Sequence, residues 1–459
     1  MALAPERRLK LTALIGVLYF AGCGGAYGVE PLVAAVGPGL AILLLIITPL
    51  LYSLPMALMA AELTALIPMS GGSYVWIREG LGRYWGLQAG WCTLLGTLAA
   101  LASYPVMFGL YLGYFWPGLL PEASSTGLLS AAQSRWLVSM AMIAAATWLN
   151  LRGAREVGRS SAVGTLVLLG VFAVLSALCL LKGPGLASAV GLVAHDLQGE
   201  HRGVVLLGLS VVLFNYGGWY GVGSLIGEID RPQQNYPRAL LLTLSLAAAS
   251  YVIPVLAGMS VSLDPGIWRD GGGWPALAAR VGGAWLGAAT AIGALVSAWG
   301  MFSAEMLYAT RQPFVMAADG WLPKVFSRAD RKTAAPRAVI VAYGILTALM
   351  ATLSFGELVI LVALLELPVL VLGLIALVRL RIRRPDAVRS FRVPGGWLGL
   401  GYVVLAPLLI AALALWALMS GSEGYGRQLL LLALFIGSGT GLYGLRRGRV
   451  GGLAASATR

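Results

Sequence analysis

Long uncharged apolar runs constrain this chain more than any other feature of its sequence. Residues 40–61 read LAILLLIITPLLYSLPMALMAA and include no charged side chain. A helix needs about 20 such residues to cross the hydrocarbon core of a bilayer. Only 11% of the 459 residues are charged, whereas a soluble domain carries about 25%. The chain is therefore predicted to be an all-α integral membrane protein.

Charged and Gly/Pro-rich segments divide the apolar sequence into twelve predicted transmembrane spans. They are 11–36, 39–66, 85–116, 136–151, 160–182, 203–226, 238–262, 284–310, 337–354, 357–379, 397–419 and 428–446.

The distribution of basic residues fixes the orientation of these spans. With the N-terminus inside, 26 of the 32 Lys and Arg residues fall on the inner side, as expected because basic loops stay in the cytoplasm. Both termini are thus predicted to be cytoplasmic, in a multi-pass protein of the plasma (inner) membrane. The same rule accounts for the net charge of +13 without a nucleic-acid partner.

A six-residue pattern, Gly-Gly-x-Tyr-Gly-Val, occurs at residues 24–29 and again at 217–222. The first copy lies in span 1 and the second in span 6. The two copies are thus five spans apart. Because an odd number of spans per repeat reverses the orientation of the second, residues 11–182 and 203–379 are predicted to be two inverted five-helix repeats within one transporter domain, 1–459. The spans within 397–446 lie outside this repeat.

Paired glycine breaks in inverted halves indicate the binding site of a transporter. Glycine lets the chain leave helical geometry, and the freed backbone groups at membrane depth then need a partner such as a substrate. Close helix packing is the alternative explanation of the glycines. The predicted binding residues at the breaks are Gly24, Gly25, Ala26, Tyr27, Asn215, Tyr216, Gly217, Gly218, Trp219 and Tyr220.

Three carboxylates, Glu30, Glu305 and Glu366, lie deep in predicted spans. Each costs roughly 2.5–3.5 kcal/mol at a helix centre on insertion scales, so we expect them to bind a cationic substrate or a coupling proton. The alternative is that they are protonated and bond to helix backbones. Tyr104 and the aromatic residues at the breaks are predicted to hold ammonium groups by cation–π attraction.

Other polar residues are assigned lesser roles. Ser303 in span 8 offers a hydroxyl to a sodium ion, which is the alternative to proton coupling. Glu62, Glu228 and Arg231 are predicted to be structural or gating residues, with Glu228 beside Arg231.

The sequence indicates neither an enzyme nor a cofactor protein. HExxH and GxSxG motifs are absent, and Cys23, Cys92 and Cys179 have no paired spacing that favours a disulfide framework or a metal site. His195 and His201 are expected to be solvated.

Several strings resemble the amino acid–polyamine–organocation permeases. They are AELTALIPMSGGSYVWIREGLGRYWGLQAGW (61–91), GEIDRPQQNYPRAL (227–240) and FRVPGG (391–396). The resemblance implies a leucine-transporter-type fold with a five-plus-five inverted repeat and interrupted helices 1 and 6. It also implies that spans 1, 2, 6 and 7 rock against spans 3, 4, 5, 8, 9 and 10.

Within that superfamily, the polyamine-uptake branch is the most similar. The similar strings are GGAYGVEP (24–31), ASYP (102–105), MFSAEM (301–306) and ALLELP (363–368). One departure is Tyr220, where that branch usually carries an Asp just past the second break. The implied function is a secondary transporter that imports polyamines, with proton coupling preferred. An amino acid symporter or exchanger is the alternative, and a channel or ligand sensor on the same fold is a remote one.

Overall fold

The computed structural model describes residues 8–117, 130–183, 205–262, 273–353, 355–420 and 425–457, together with residues 187, 190, 191 and 268. Across these residues the chain is helical, and the only β-type pairing is an isolated parallel bridge between Leu9 and Ile229. Seven helical stretches of the described residues, two of which join consecutive helices, are long and apolar enough to cross a membrane. The protein is therefore an integral multi-pass membrane protein.

The first half begins with an interrupted helix. Its helices are α1 (Leu11–Gly22), α2 (Glu30–Val36), α3 (Pro38–Thr48), α4 (Leu54–Leu66), α5 (Gly72–Leu81), α6 (Arg83–Leu112), α7 (Ala131–Leu151) and α8 (Ala154–Lys182). A π-helical turn, Pro49–Ser53, joins α3 to α4. Proline lacks the N–H that an α-helix needs at this point, so the wider turn forms around it.

The second half also begins with an interruption. Its helices are α9 (Val205–Asn215), a 3₁₀ segment (Gly221–Glu228), α10 (Pro232–Met259), α11 (Gly273–Gly282), α12 (Ala284–Ala309), α13 (Arg311–Ala318), α14 (Arg337–Met350), α15 (Phe355–Arg383), α16 (Gly396–Ser420) and α17 (Tyr425–Ala457).

Three short helices, α5, α11 and α13, were not among the predicted spans. Each has ten residues or fewer and carries an arginine: Arg78, Arg280 and Arg311 respectively. A search for long apolar runs passes over them because they are too short and too polar to cross a bilayer. Helix ends also differ from the predicted bounds, since α7 and α8 begin several residues earlier than the apolar runs do.

Helix α6 is central to the packing around the site. It contacts α5, α7, α12, α14 and α15, while α1 packs against α8, α10 and α12. The approach of α1 to α8 is close, because a Cβ at Gly16 would meet the backbone of Ser161 and Ala162 within 2.6–2.8 Å. Small residues permit such contacts between membrane helices. The two interruptions are thereby held inside the bundle.

Candidate functional site

The first interruption lies between α1 and α2. The helix ends at Gly22 and resumes at Glu30, and both Gly25 (φ 75°) and Gly28 (φ 85°) take left-handed backbone conformations. Residues with a Cβ rarely adopt this region. The glycines of the repeated pattern therefore permit the chain to leave the helix at this point.

Side chains from the second half bond the carbonyls that the first interruption frees. Backbone groups at membrane depth need such partners because lipid supplies none. The hydrogen bonds run from Ser297 Oγ to Gly24 O (2.5 Å), from Trp274 Nε1 to Ala26 O (2.6 Å) and from Asn215 Nδ2 to Gly28 O (3.1 Å).

The second interruption follows α9 and is supported in the same way. The hydroxyl of Tyr251 donates to Asn215 O at 2.7 Å. The carbonyl of Tyr216 accepts bonds from Trp219 Nε1 at 2.8 Å and from Ser53 Oγ at 3.1 Å. Its freed carbonyls are thus also bonded by protein side chains.

The two interruptions touch each other. Gly218 (φ 78°) lies so close to the carbonyl of Ala21 that no Cβ fits between them, and the indole of Trp219 covers Gly22. The bond from Asn215 to Gly28 is a third link. The two breaks therefore form one contiguous site.

Two carboxyl groups lie beside the second interruption. Glu305 on α12 accepts a hydrogen bond from the hydroxyl of Tyr104 on α6 at 2.6 Å. Glu366 on α15 faces the hydroxyl of Tyr220 and lies close enough to Glu305 for their charges to interact. Tyr308 adjoins Glu305. We call Tyr104, Tyr220, Tyr308, Glu305 and Glu366 the acid pair site.

The acid pair site has no fixed countercharge in the described part of the chain. No lysine or arginine is paired with Glu305 or Glu366 there. Glu305 is 5% exposed, whereas Glu366 and Tyr104 are partly exposed. Buried carboxyls of this kind either bind a proton or await a cation.

Glu30 lies apart from the acid pair site, at the start of α2. One carboxylate oxygen accepts from the hydroxyl of Tyr111 at 2.7 Å, and the other accepts from the backbone N–H of Gly28 at 2.7 Å. Gly273 at the start of α11 covers it, since a Cβ there would lie 3.0 Å from the carboxylate. The three predicted acids therefore occupy two places rather than one.

Comparison with known proteins identifies the kind of protein to which this site belongs. The amino acid permease family matches residues 9–436. This chain belongs to the amino acid permease family. It is a membrane transporter and not an enzyme.

Relatives of this permease include named polyamine transporters. It is similar to the polyamine transporter RMV1 of Arabidopsis thaliana, with 33% identity over 88% of this chain and 79% of the relative. It is 34% identical to the polyamine transporter PUT1 of Oryza sativa subsp. japonica over 90% of this chain and 74% of that protein. The uncharacterized transporter Rv1999c of Mycobacterium tuberculosis is 30% identical over 76% of this chain and 74% of its own length.

The predicted aromatic residues of the permease separate into two groups. Tyr104 and Tyr220 adjoin the acids. Tyr27, Tyr216 and Trp219 are at most 2% exposed and bond to the protein itself; the hydroxyl of Tyr27, for example, donates to Thr290 O at 2.6 Å. Those three side chains support the breaks in this conformation and do not face the acid pair site.

The prediction that Glu228 has Arg231 beside it as its basic partner is wrong. Arg311 at the start of α13 binds both carboxylate oxygens of Glu228, at 2.7 and 3.0 Å. Arg231 is exposed and begins α10 in a left-handed conformation, φ 43°. That backbone turn directs its side chain to the surface, although the two residues are close in sequence.

Glu62 is a fully buried partner of two arginines. Arg381 donates to its carboxylate at 2.6 and 3.0 Å, Arg389 donates at 2.7 Å, and the N–H of Val393 donates at 2.8 Å. This network joins α4 to α15 and to the segment before α16. Its geometry is that of a structural anchor.

Ser303 makes no hydrogen bond to the first interruption among the described residues. Ser297 does, and the two residues lie six positions apart on α12, so their side chains point in directions that differ by about 120°. Ser303 faces α7, where Asn150 Nδ2 donates to its carbonyl at 3.2 Å, and its hydroxyl makes no hydrogen bond among the described residues.

The described residues contain no group of three or more His, Cys, Asp or Glu that would hold a metal ion. His195 and His201 lie outside the described residues. Sequence reasoning missed Tyr111, Trp274, Ser297, Arg311 and Arg381. Apart from the aromatic and hydroxyl character of the first three, the sequence contains no signal for them, because their partners are more than 80 residues away.

Proposed function

We propose that this permease is a secondary active transporter that imports polyamines or related organic cations, driven by a proton gradient. The observation that carries the proposal is the acid pair site: two electrostatically interacting carboxyls among tyrosines of three elements, with no basic partner in the described part of the chain. An ammonium group is attracted both to the carboxylates and to the aromatic faces. The named polyamine transporters among the relatives support the same substrate class.

The proposed architecture is the one that the sequence predicts. Twelve spans form two inverted repeats, 11–182 and 203–379, with interrupted helices 1 and 6, two further helices within 397–446, and both termini in the cytoplasm at the plasma membrane. The paired breaks at corresponding positions support this arrangement. Transport then proceeds by rocking of α1–α4, α9 and α10 against α6–α8 and α12–α15.

The first break favours a cation over an amino acid. In the alternative function, an amino acid carboxylate would bind the free amides of the GGAYG segment. The amide of Gly28 already donates to the carboxylate of Glu30 at 2.7 Å, and that of Gly25 donates to Cys23 Sγ at 3.3 Å. The protein thus supplies its own carboxyl group at the break, where the carboxylate of an amino acid would otherwise bind.

Proton coupling is proposed over sodium coupling for a related reason. Glu305 and Glu366 repel each other when both are ionised, so protonation of either carboxyl relieves the repulsion, and a bound polyamine does the same. The two cations therefore compete for one pair of carboxyls. Sodium would instead need several free carbonyls, and the freed carbonyls of Gly24, Ala26 and Gly28 already accept bonds from side chains.

Tyr220 is the one feature that favours an amino acid substrate, because the polyamine-uptake branch usually carries an acid at that position. An acid pair with Tyr220 as a hydrogen-bond partner still holds two negative charges when ionised. Polyamine transport therefore stays the first candidate, and Tyr220 is the reason for keeping amino acid transport as the second.

Uptake into proteoliposomes tests the proposal. Purified permease is reconstituted, an inward proton gradient is imposed, and labelled spermidine, arginine and leucine are compared with and without sodium. Concentrative spermidine uptake that collapses when the gradient is dissipated supports the proposal. Arginine or leucine uptake without spermidine uptake would establish the second candidate, and equilibration without concentration would indicate a channel.

A further inference from the structure

Helix α6 presents a continuous stripe to the two acidic regions. Tyr104, Phe108 and Tyr111 are spaced i, i+4 and i+7, which places them on one face of a helix. All three are partly exposed, although they pack against the core. Leu110 lies on the opposite face and is 40% exposed, as expected for a side chain that contacts lipid.

The two ends of this stripe hold the two groups of acids. Tyr104 donates to Glu305, and Tyr111 donates to Glu30, at 2.6 and 2.7 Å. Seven residues make nearly two full turns, so the two tyrosines point in the same direction and lie about 10.5 Å apart along the helix. From this spacing we infer that the carboxyls bound by the two tyrosines lie a similar distance apart.

This separation corresponds to the length of a particular class of amine. An extended chain advances about 1.2 Å per bond, since three bonds span at most about 3.6 Å. Terminal ammoniums nine bonds apart, as in spermidine or an eight-carbon α,ω-diamine, then lie about 11 Å apart. A four-carbon diamine has five bonds between its nitrogens and spans only about 6 Å.

We propose that the stripe is a length-selective site in which a linear polyamine binds one terminal ammonium at Glu305 and Glu366 and the other at Glu30. This inference rests on the proposed function and narrows its substrate class to amines about nine bonds long. Phe108 lies between the two ends and packs against the methylene chain. The carboxyl of Glu30 accepts bonds from Tyr111 and Gly28 and also faces the backbone N–H of Trp274, so an ammonium bound there shares it with donors from the protein.

Amine binding as a function of length tests this directly. Purified permease in nanodiscs is titrated with α,ω-diaminoalkanes of four to ten carbons, in competition with labelled spermidine. Affinity should rise about tenfold or more between four and eight carbons, as expected for an added charge-assisted hydrogen bond. Beyond eight carbons it should level off or fall. A smooth rise through ten carbons would reflect hydrophobicity alone and would overturn the proposal.

Variants along the stripe separate the contributions of Glu30 and Phe108 to the affinity for diamines. Glu30→Gln should lower the affinity for the eight-carbon diamine about tenfold and change the affinity for the four-carbon diamine by less than twofold. Phe108→Ala should weaken the binding of the long diamines only. Leu110→Ala, on the lipid face, is the matched control. Thermal melting verifies that each variant is folded, and the length series on the unaltered protein does not depend on any variant.

The outcomes distinguish this inference from the proposed function. If short and long diamines bind equally well and Glu30→Gln weakens both alike, the length-selective site is wrong while polyamine transport stands. If no amine competes with spermidine, or spermidine itself does not bind, the proposed function fails and this inference fails with it.

Discussion

Arg311 binds both carboxylate oxygens of Glu228, with Nε to Oε1 at 2.7 Å and Nη2 to Oε2 at 3.0 Å. The pair joins the end of the second interruption to the helix that follows α12, and Arg311 is 3% exposed. In the proposed mechanism these two segments belong to parts that move relative to one another. The pair would then stabilise the conformation seen here against the alternative one.

Glu228→Gln should therefore destabilise this conformation, because it leaves the guanidinium of Arg311 buried without a countercharge. Removal of one partner of a buried ion pair costs about 3–5 kcal/mol. Thermal melting in detergent should show a clear decrease. Arg231→Ala, at the exposed neighbour, is the control and should melt at the same temperature as the unaltered protein. An equal decrease in the melting temperature of both variants would mean that Arg231 is the basic partner of Glu228.

The Glu62–Arg381 pair permits a double-mutant cycle. Glu62→Met alone should lower stability by about 3–5 kcal/mol, whereas Glu62→Met with Arg381→Met should cost clearly less than the sum of the two single changes. Arg389 retains bonds to the carbonyls of Ala387 and Arg384 in both cases. The measurement is the chemical unfolding of all four proteins. Strict additivity would show that the two side chains are not coupled.

Carboxyl-to-amide changes in the acid pair site should strongly reduce concentrative uptake. Glu305→Gln and Glu366→Gln each remove a charged partner of the substrate, so spermidine uptake should fall about tenfold or more. Glu305→Gln also removes a proton-binding group, so the remaining uptake should respond less to the imposed gradient. Glu156→Gln, in an exposed pair with Arg159 on α8, is the matched control. Normal uptake by both variants would make these acids structural.

A substitution at Gly218 tests the contact between the two breaks. Gly218→Ala places a Cβ against the carbonyl of Ala21 and forces a residue with a side chain into φ 78°. Either effect costs on the order of 1–3 kcal/mol, so transport and stability should both decrease. Gly170→Ala on α8, where a Cβ meets open space, should instead raise stability by up to about 1 kcal/mol. A neutral Gly218→Ala variant would show that the two breaks separate more easily than their contact suggests.

Sequence patterns predict the long helices better than they predict which distant residues contact one another. Apolar runs and glycines act locally, so the helical membrane class and the positions of the unwound residues at 24–29 could be predicted from single segments. The bond between Tyr111 and Glu30 could not be predicted, because it depends on how α2 packs against α6. The same reason explains why Arg231, the nearest base in sequence, was assigned to Glu228 in place of Arg311. Short amphipathic helices such as α5 were missed because their burial depends on neighbouring helices and not on their own composition.

The bonds across the first interruption have a consequence for the synthesis of the protein. The carbonyls of Gly24, Ala26 and Gly28 accept hydrogen bonds from residues that come 273, 248 and 187 positions later in the chain. A ribosome that adds about 5–20 residues per second delivers these partners roughly 10–55 s after the break itself. During that interval the nascent first helix carries unsatisfied carbonyls that lipid does not tolerate. The first half must therefore wait in a hydrated or protein-lined environment of the insertion machinery until the second half arrives.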